Sequence, residues 1–205
     1  MPPNQTERPT RGRPRKAGAE ERILEAALEE YGERGWAGFT MDAVARRAGV
    51  GKSTVYLRWS NKDDLLTEAV TRRSNDIEAV DTGTLRGDLE ALADNLFRFY
   101  LDPGGWATLR ITVDAAGSPE PLGRFTEVVV EQHRIATDTL VRRAIGRGEA
   151  PADFPATTMI ECLYGAITMQ TLGLTGEGRR LSDEEIDERV RPVVTFVLAG
   201  AGLLP

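Results

Sequence analysis

Within Thr40–Lys62, the side chains of Thr40, Lys52, Ser53, Thr54, Tyr56, Arg58 and Lys62 donate hydrogen bonds or carry positive charge. Groups of this kind bind phosphate oxygens and the edges of bases. The same stretch holds five basic residues, Arg46, Arg47, Lys52, Arg58 and Lys62, against one acidic residue, Asp42. Each charge alone is compatible with a solvated face, but the excess suits a polyanion. Lys52, Ser53 and Thr54 are candidates for contact with base edges or the adjacent backbone. Tyr56, Arg58 and Lys62 are candidate phosphate anchors, and Thr40 can add a phosphate contact through its hydroxyl or the helix N-terminus that it opens.

Other chemistries find little support. Gly51-Lys52-Ser53 has the ending of a phosphate-binding P-loop, but that loop needs a glycine at position 46, which is Arg46, and no strand precedes it. One cysteine, Cys162, and one histidine, His133, permit no intrachain disulfide and leave little for a metal site or a histidine-based triad. No nucleophile–base pair or glycine-rich cofactor loop is evident, so the sequence predicts neither an enzyme nor a cofactor.

The elements that would position the donors can be read from apolar spacing. Val44, Ala45 and Ala48 form a short stripe, Gly49 stands where the chain must turn, and Val50 and Val55 return to the same small core. The pattern predicts two short helices, the second about Lys52–Trp59, whose outer face carries the donors. A helix before them, Glu20–Gly35, has Ile23, Leu24, Ala27, Leu28 and Tyr31 at helical spacing, and Thr40 is a plausible N-cap. A longer helix over about Lys62–Ala79 follows.

The order Thr-Met…Ala-Gly-Val…Thr-Val-Tyr…Trp…Lys resembles the DNA-binding segment of the TetR family of bacterial repressors, over about Glu20–Ala69. The resemblance implies phosphate contacts at Tyr56 and Lys62. Gly51 departs from it where many members place a serine N-cap; a glycine caps nearly as well, but the hydroxyl is gone, which puts more of the specificity on Lys52, Ser53 and Thr54. The implied fold is all-α, an N-terminal three-helix DNA-binding domain with a helix-turn-helix plus a larger helical C-terminal domain, about nine helices in all. The expected division is a disordered basic arm at 1–17, a DNA-binding domain at 18–61 and a ligand-binding and dimerisation domain at 62–205.

Charge follows that division. Residues 1–73 contain fourteen Lys+Arg and eleven Asp+Glu, a net of +3, and the remainder holds 12 basic and 21 acidic residues, a net of −9. A polyanion should therefore meet the N-terminal end. In the arm, Arg11, Arg13 and Arg15 flank Gly12 and Pro14 in the manner of an AT-hook core, suited to a narrow A·T minor groove; a solvated basic tail adding non-specific affinity is the alternative. Met1–Gly18 lacks the apolar core of a signal peptide, and the longest apolar run, Val193–Leu204, falls short of a membrane span. A cytoplasmic protein without membrane contact is expected.

Beyond residue 80, helical patterns run over about Leu85–Tyr100, Trp106–Ala116, to about Ile145, Asp153–Leu174 and Ser182–Leu198. Phe97, Tyr100, Trp106, Arg110, Phe125 and His133 are the candidate lining of a small-molecule effector site, although each is also an ordinary core residue. Arg110 and Asp114 stand at i, i+4 and suit a surface ion pair. The last two helices, about 155–174 and 183–198, are rich in apolar residues, and the resemblance implies that they form a four-helix homodimer interface; packing within one chain is the alternative. The functional expectation is a sequence-specific DNA-binding regulator, a ligand-released repressor acting as a homodimer on a palindrome in double-stranded DNA. The competing class is an architectural A·T-preferring binder without an inducer.

Overall fold

The structure is a computed structural model that describes residues 18–74, 81–117, 119–174 and 181–203. The expected arm, with Arg11, Arg13 and Arg15, lies outside the described residues. Among these residues are nine α-helices and no strand: α1 (Ala19–Gly38), α2 (Met41–Arg47), α3 (Lys52–Tyr56), α4 (Lys62–Ser74), α5 (Leu85–Leu101), α6 (Pro103–Gly117), α7 (Pro119–Gly146), α8 (Ala156–Leu174) and α9 (Asp183–Gly200). None is long and apolar enough to cross a membrane.

Local chemistry sets the ends of these helices. Thr40 caps α2 by accepting from the Ala43 N–H at 3.2 Å, and Thr84 does the same for α5 through Gly87 at 3.1 Å. Ser182 and Glu185 form a reciprocal capping box at the start of α9. Gly49 ends α2 at φ +65°, with its N–H on the Arg46 carbonyl and the Val50 N–H on Ala45. That pair of bonds satisfies carbonyls the helix leaves open and needs a left-handed residue between them. Gly35, at φ +62°, breaks the regular course of α1 before its last turn.

Two apolar cores share the molecule. The first joins α1–α4 to Ala107, Ile111 and Ala115 of α6 and to Leu122 and Phe125 of α7. The second joins α5, α8 and α9 to Leu109 of α6 and to Leu140 and Ala144 of α7. Leu65, Leu66, Ala69 and Val70 of α4 are buried in the first core, so apolar packing continues across the expected boundary at residues 61 and 62. Each such leucine contributes about 1.5–3 kcal/mol by leaving water, which makes α4 an integral wall of the N-terminal end.

A buried charge anchors the far end of the body. Asp88 accepts from the Thr82 N–H at 2.7 Å, the Thr82 hydroxyl at 2.8 Å and Arg147 at 2.9 Å. Glu149, itself bound to Arg147, receives the first N–H of α5 at Leu85. This network fastens the start of α5 to the turn after α7.

Candidate nucleic-acid interface

The α2–α3 pair rests on Val44, Ala45, Ala48 and Val55, all buried, with Val50 packed against them. That packing turns the other face of α3 outward: Lys52, Ser53, Tyr56 and Arg58 are exposed, as is Thr40 at the head of α2, while Thr54 is half-buried. The helix is shorter than expected, because Leu57 already acts as its C-cap. Thr40 uses its oxygen lone pairs on Ala43 and so keeps its hydroxyl proton for another acceptor.

The charges on this face are paired. Asp42 accepts from Lys52 and, at 3.3 Å, from the Tyr56 hydroxyl. The Lys52 hydrogen bond holds the Asp42 carboxyl below its ordinary pKa, against a smaller opposing desolvation. Arg58 meets Glu20 at 2.5 Å, and the same carboxylate takes Arg72 at 3.1 Å. Exposed pairs of this kind contribute little to stability, so a phosphate can replace either carboxylate at small cost. Arg47 is committed elsewhere: Glu29, Glu30 and Glu33 of α1 surround it at 3.4, 2.9 and 2.5 Å. It clamps α2 to α1 and leaves the outward charge to Lys52, Arg58 and Arg46.

Lys62 differs from the expectation of a freestanding phosphate anchor. Its ammonium donates to the carbonyls of Trp36 and Phe39 at 3.0 and 3.4 Å and lies 3.9 Å above the Trp36 ring. Two of its three N–H bonds are thus engaged on the final turn of α1, leaving one for a phosphate. The residue that sequence reasoning passed over is Leu57. It is 86% exposed beside Tyr56, an apolar side chain standing clear at the end of the donor-bearing helix. A leucine with no counterpart in the small core was the signal.

A second feature lies in the body, a cavity of about 590 Å³ between α5, α6, α7 and α8. Of the six residues expected to line it, Tyr100 and His133 do. The other four stand elsewhere, each for a packing reason. Phe97 is fully buried in the second core, its neighbours Leu96 and Phe99 facing the cavity instead. Trp106 packs against that same core from outside, and Phe125 belongs to the first core, with α1–α4. Arg110 points away from the cavity to α1, where it donates to the Gly32 carbonyl at 2.8 Å. Its Asp114 partner is 3.7 Å away, and Asp114 accepts from the Tyr31 hydroxyl at 2.8 Å. Burial, then the Asp114 bond, raises the Tyr31 pKa and keeps this link protonated.

The lining also contains residues that sequence reasoning missed. Thr157, Glu161, Tyr164 and Thr168 of α8 form one stripe at i, i+4, i+7 and i+11 and all face the cavity. The helical period was present in the sequence but hidden by the apolar residues around it. No group of three His, Cys, Asp or Glu suited to a metal occurs among the described residues.

Comparison with known proteins matches both ends of the chain. A family model described as "Bacterial regulatory proteins, tetR family" matches residues 23–69, and one described as "Tetracyclin repressor-like, C-terminal domain" matches residues 79–193. The chain is 30% identical over 192 residues to the uncharacterized HTH-type transcriptional regulator YdeS of Bacillus subtilis (strain 168), covering 93% of each. It is 32% identical over 158 residues to the HTH-type transcriptional regulator AqdR of Rhodococcus erythropolis, covering 77% of this chain and 76% of that one. The structure of FadR from Bacillus subtilis in complex with stearoyl-CoA aligns with a TM-score of 0.67 at 19% identity, covering 88% of this chain and 98% of that one; at that identity the likeness is one of fold.

Proposed function

Because the chain belongs to the TetR family and is thereby a helix-turn-helix DNA-binding transcriptional regulator rather than an enzyme, we propose that it acts as a homodimeric repressor released from a palindromic operator by a small molecule. The observation that carries the reading is the division of labour in one chain. A donor-bearing helix faces outward at one end, and a half-open, mostly apolar cavity lies in the other, joined through α6 and α7.

Each subunit sets α3 in a major groove. Lys52, Ser53 and Thr54 address base edges or the nearby backbone, while Tyr56, Arg58, Thr40 and the remaining donor of Lys62 hold phosphates and fix the register. Leu57 offers an apolar contact to a thymine methyl. Half-site centres then lie about one helical turn apart or a multiple of it, near 34–36 Å per turn. Residues 18–61 form the reading head of this proposal and residues 62–205 its control and dimerisation body.

The dimer surface is assigned to the outer faces of α8 and α9. Their inner faces are filled within one chain by Met159, Ile160, Leu163 and Ile167 and by Ile186, Val190, Val194 and Val197. Phe196 of α9 nevertheless remains 75% exposed on the outside, and Met169 of α8, which also borders the cavity, is 67% exposed, a placement that suits a second copy. The cavity is the effector site, in a fold whose FadR member has been crystallised with an acyl-CoA. A footprint on the DNA beside the protein's own gene, repeated with candidate effectors, tests the whole scheme. A discrete palindromic footprint that fades with one effector is expected. Equal affinity for that site and for random DNA at fixed salt overturns it and favours the architectural A·T binder.

A further inference from the structure

Several polar groups around the cavity are hydrogen-bonded within the protein. Thr108 and Thr112 donate back to the carbonyls of Gly104 and Thr108 at 3.1 and 3.0 Å, and the Tyr100 oxygen accepts from Thr168. Of the lining groups without such a bond, Thr157 and Glu161 are exposed and Thr137 is half-buried on its own; His133 and Tyr164 are the half-buried two that lie together. Their rings lie against each other with centroids 4.7 Å apart, both face the cavity, and neither hydrogen-bonds a described residue. Burial lowers the His133 pKa and raises that of Tyr164. The imidazole is therefore neutral near pH 7, with one donor and one acceptor, and the phenol keeps its proton.

Charge at the cavity points the same way. Arg134 is the one cation among the lining residues, and its guanidinium is held between Glu131 at 2.6 Å and Asp138 at 3.0 Å. Glu161 adds a further negative charge to the lining, so the wall carries one positive and two negative groups. A carboxylate entering it gives up its water and meets no free cation, which is costly. A cation would meet Glu161 at the edge, yet the inner polar pair is neutral and offers it nothing ionic.

We propose that the effector is an uncharged, mainly apolar molecule whose polar end presents a donor and an acceptor side by side, as a primary amide does, to His133 and Tyr164. The same cavity discriminates against carboxylates and CoA thioesters. The proposal rests on reading the cavity as the effector site, and its test separates the two.

Calorimetric titration of the full chain with octanamide, octanoate, octanoyl-CoA and octyltrimethylammonium holds the apolar body constant while the head changes. A second pair, 2-naphthamide and 2-naphthoate, repeats the comparison on a flat body. The amide is expected to bind at least about tenfold more tightly than its carboxylate on one scaffold or both. Tyr164→Phe and His133→Phe should each weaken the amide by roughly fivefold, the loss of about one hydrogen bond. Thermal melts show that these variants fold. The proposal is overturned if a carboxylate, the CoA ester or the ammonium matches the amide, if no probe binds, or if the folded variants bind the amide unchanged. Operator release is read in parallel. Amide binding without release leaves the cavity chemistry standing and removes the effector reading; release by octanoyl-CoA with no amide bound does the reverse.

Discussion

Leu57 is the sharpest point at which the proposed DNA contact can be tested. It is 86% exposed at the C-cap of α3, so truncating it should leave folding within about 0.5 kcal/mol of the parent. Against a thymine methyl, about 40–60 Å² of its apolar surface leaves water. At about 25 cal/mol per Å² this contributes roughly 1–1.5 kcal/mol, or about 5- to 12-fold in Kd for one half-site. A symmetric operator counts the contact twice. Fluorescence anisotropy with the footprinted operator should therefore show Leu57→Ala weakening binding by that factor squared, at unchanged salt slope, since no phosphate contact is removed. Replacing the operator thymines by deoxyuridines, one position at a time, deletes the methyl from the other side. At the position Leu57 reaches, parent protein loses the same factor and Leu57→Ala loses less than about twofold more. An equal loss on thymine and uracil operators at every position, or no loss at all, would refute the reasoning and leave Leu57 outside the interface.

Four other outcomes follow from the geometry. Lys62→Ala removes two carbonyl contacts and the Trp36 stacking, so it should lower stability by about 1–2 kcal/mol, a few degrees in Tm, and flatten the salt slope by about one unit per subunit; an unchanged Tm refutes the clamp. Phe196→Glu places a charge on the exposed face of α9 and should yield a folded monomer by sedimentation velocity, whereas a dimer of normal stability assigns the interface elsewhere. Arg110→Met deletes the bond to Gly32, and should shrink the ratio of operator Kd with and without effector while leaving effector affinity intact. Asp88 is shifted first upward by burial, but the Thr82 N–H, Arg147 and the Thr82 hydroxyl outweigh that and leave its pKa lowered. Its stabilisation is thus full above the unfolded value of about 3.9 and is lost as pH falls through the folded value. Asp88→Asn should flatten the acid limb of a stability–pH curve below about pH 4 without adding slope near neutrality, and a parent curve with no slope in that window contradicts the sign.

The helices were legible because their signals are local. Thr40, Gly49 and the Val44–Val55 stripe act over a turn or two of chain, and capping chemistry at Ser182 and Glu185 is complete within four residues. The cavity was less so. Leu96, Phe97, Phe99 and Tyr100 are all apolar or aromatic on one helix, and only the positions of α6, α8 and α9 decide which of them face a void and which face a core. Arg110 shows the same limit over a longer range. Its i, i+4 relation to Asp114 is visible in the chain, but the carbonyl it binds lies 78 residues away. Lys62 likewise reads as an open cation until Trp36 and Phe39 are folded beneath it.

What links cavity to reading head is the two-sidedness of α6. Thr108, Leu109 and Thr112 face the cavity, while Ala107 and Ile111 enter the core of the DNA-binding end and Arg110 and Asp114 hold α1 at Gly32 and Tyr31. In the proposed switch, His133 on α7 and Tyr164 on α8 choose the ligand, and α7 also reaches the first core through Leu122 and Phe125, about two turns before His133. Hydrogen bonds to them shift the equilibrium only to the extent that they differ between the two states. Reversing a 1:99 preference takes about 5.5 kcal/mol of such difference, more than two hydrogen bonds of about 1 kcal/mol each provide. The remainder has to come from apolar contact against Leu109 and the threonine methyls, where displacement of α6 is felt at α1. In that switch selection and release reside in different parts of one ligand: the head is chosen at His133 and Tyr164, and the apolar body, by pressing on α6, frees the operator.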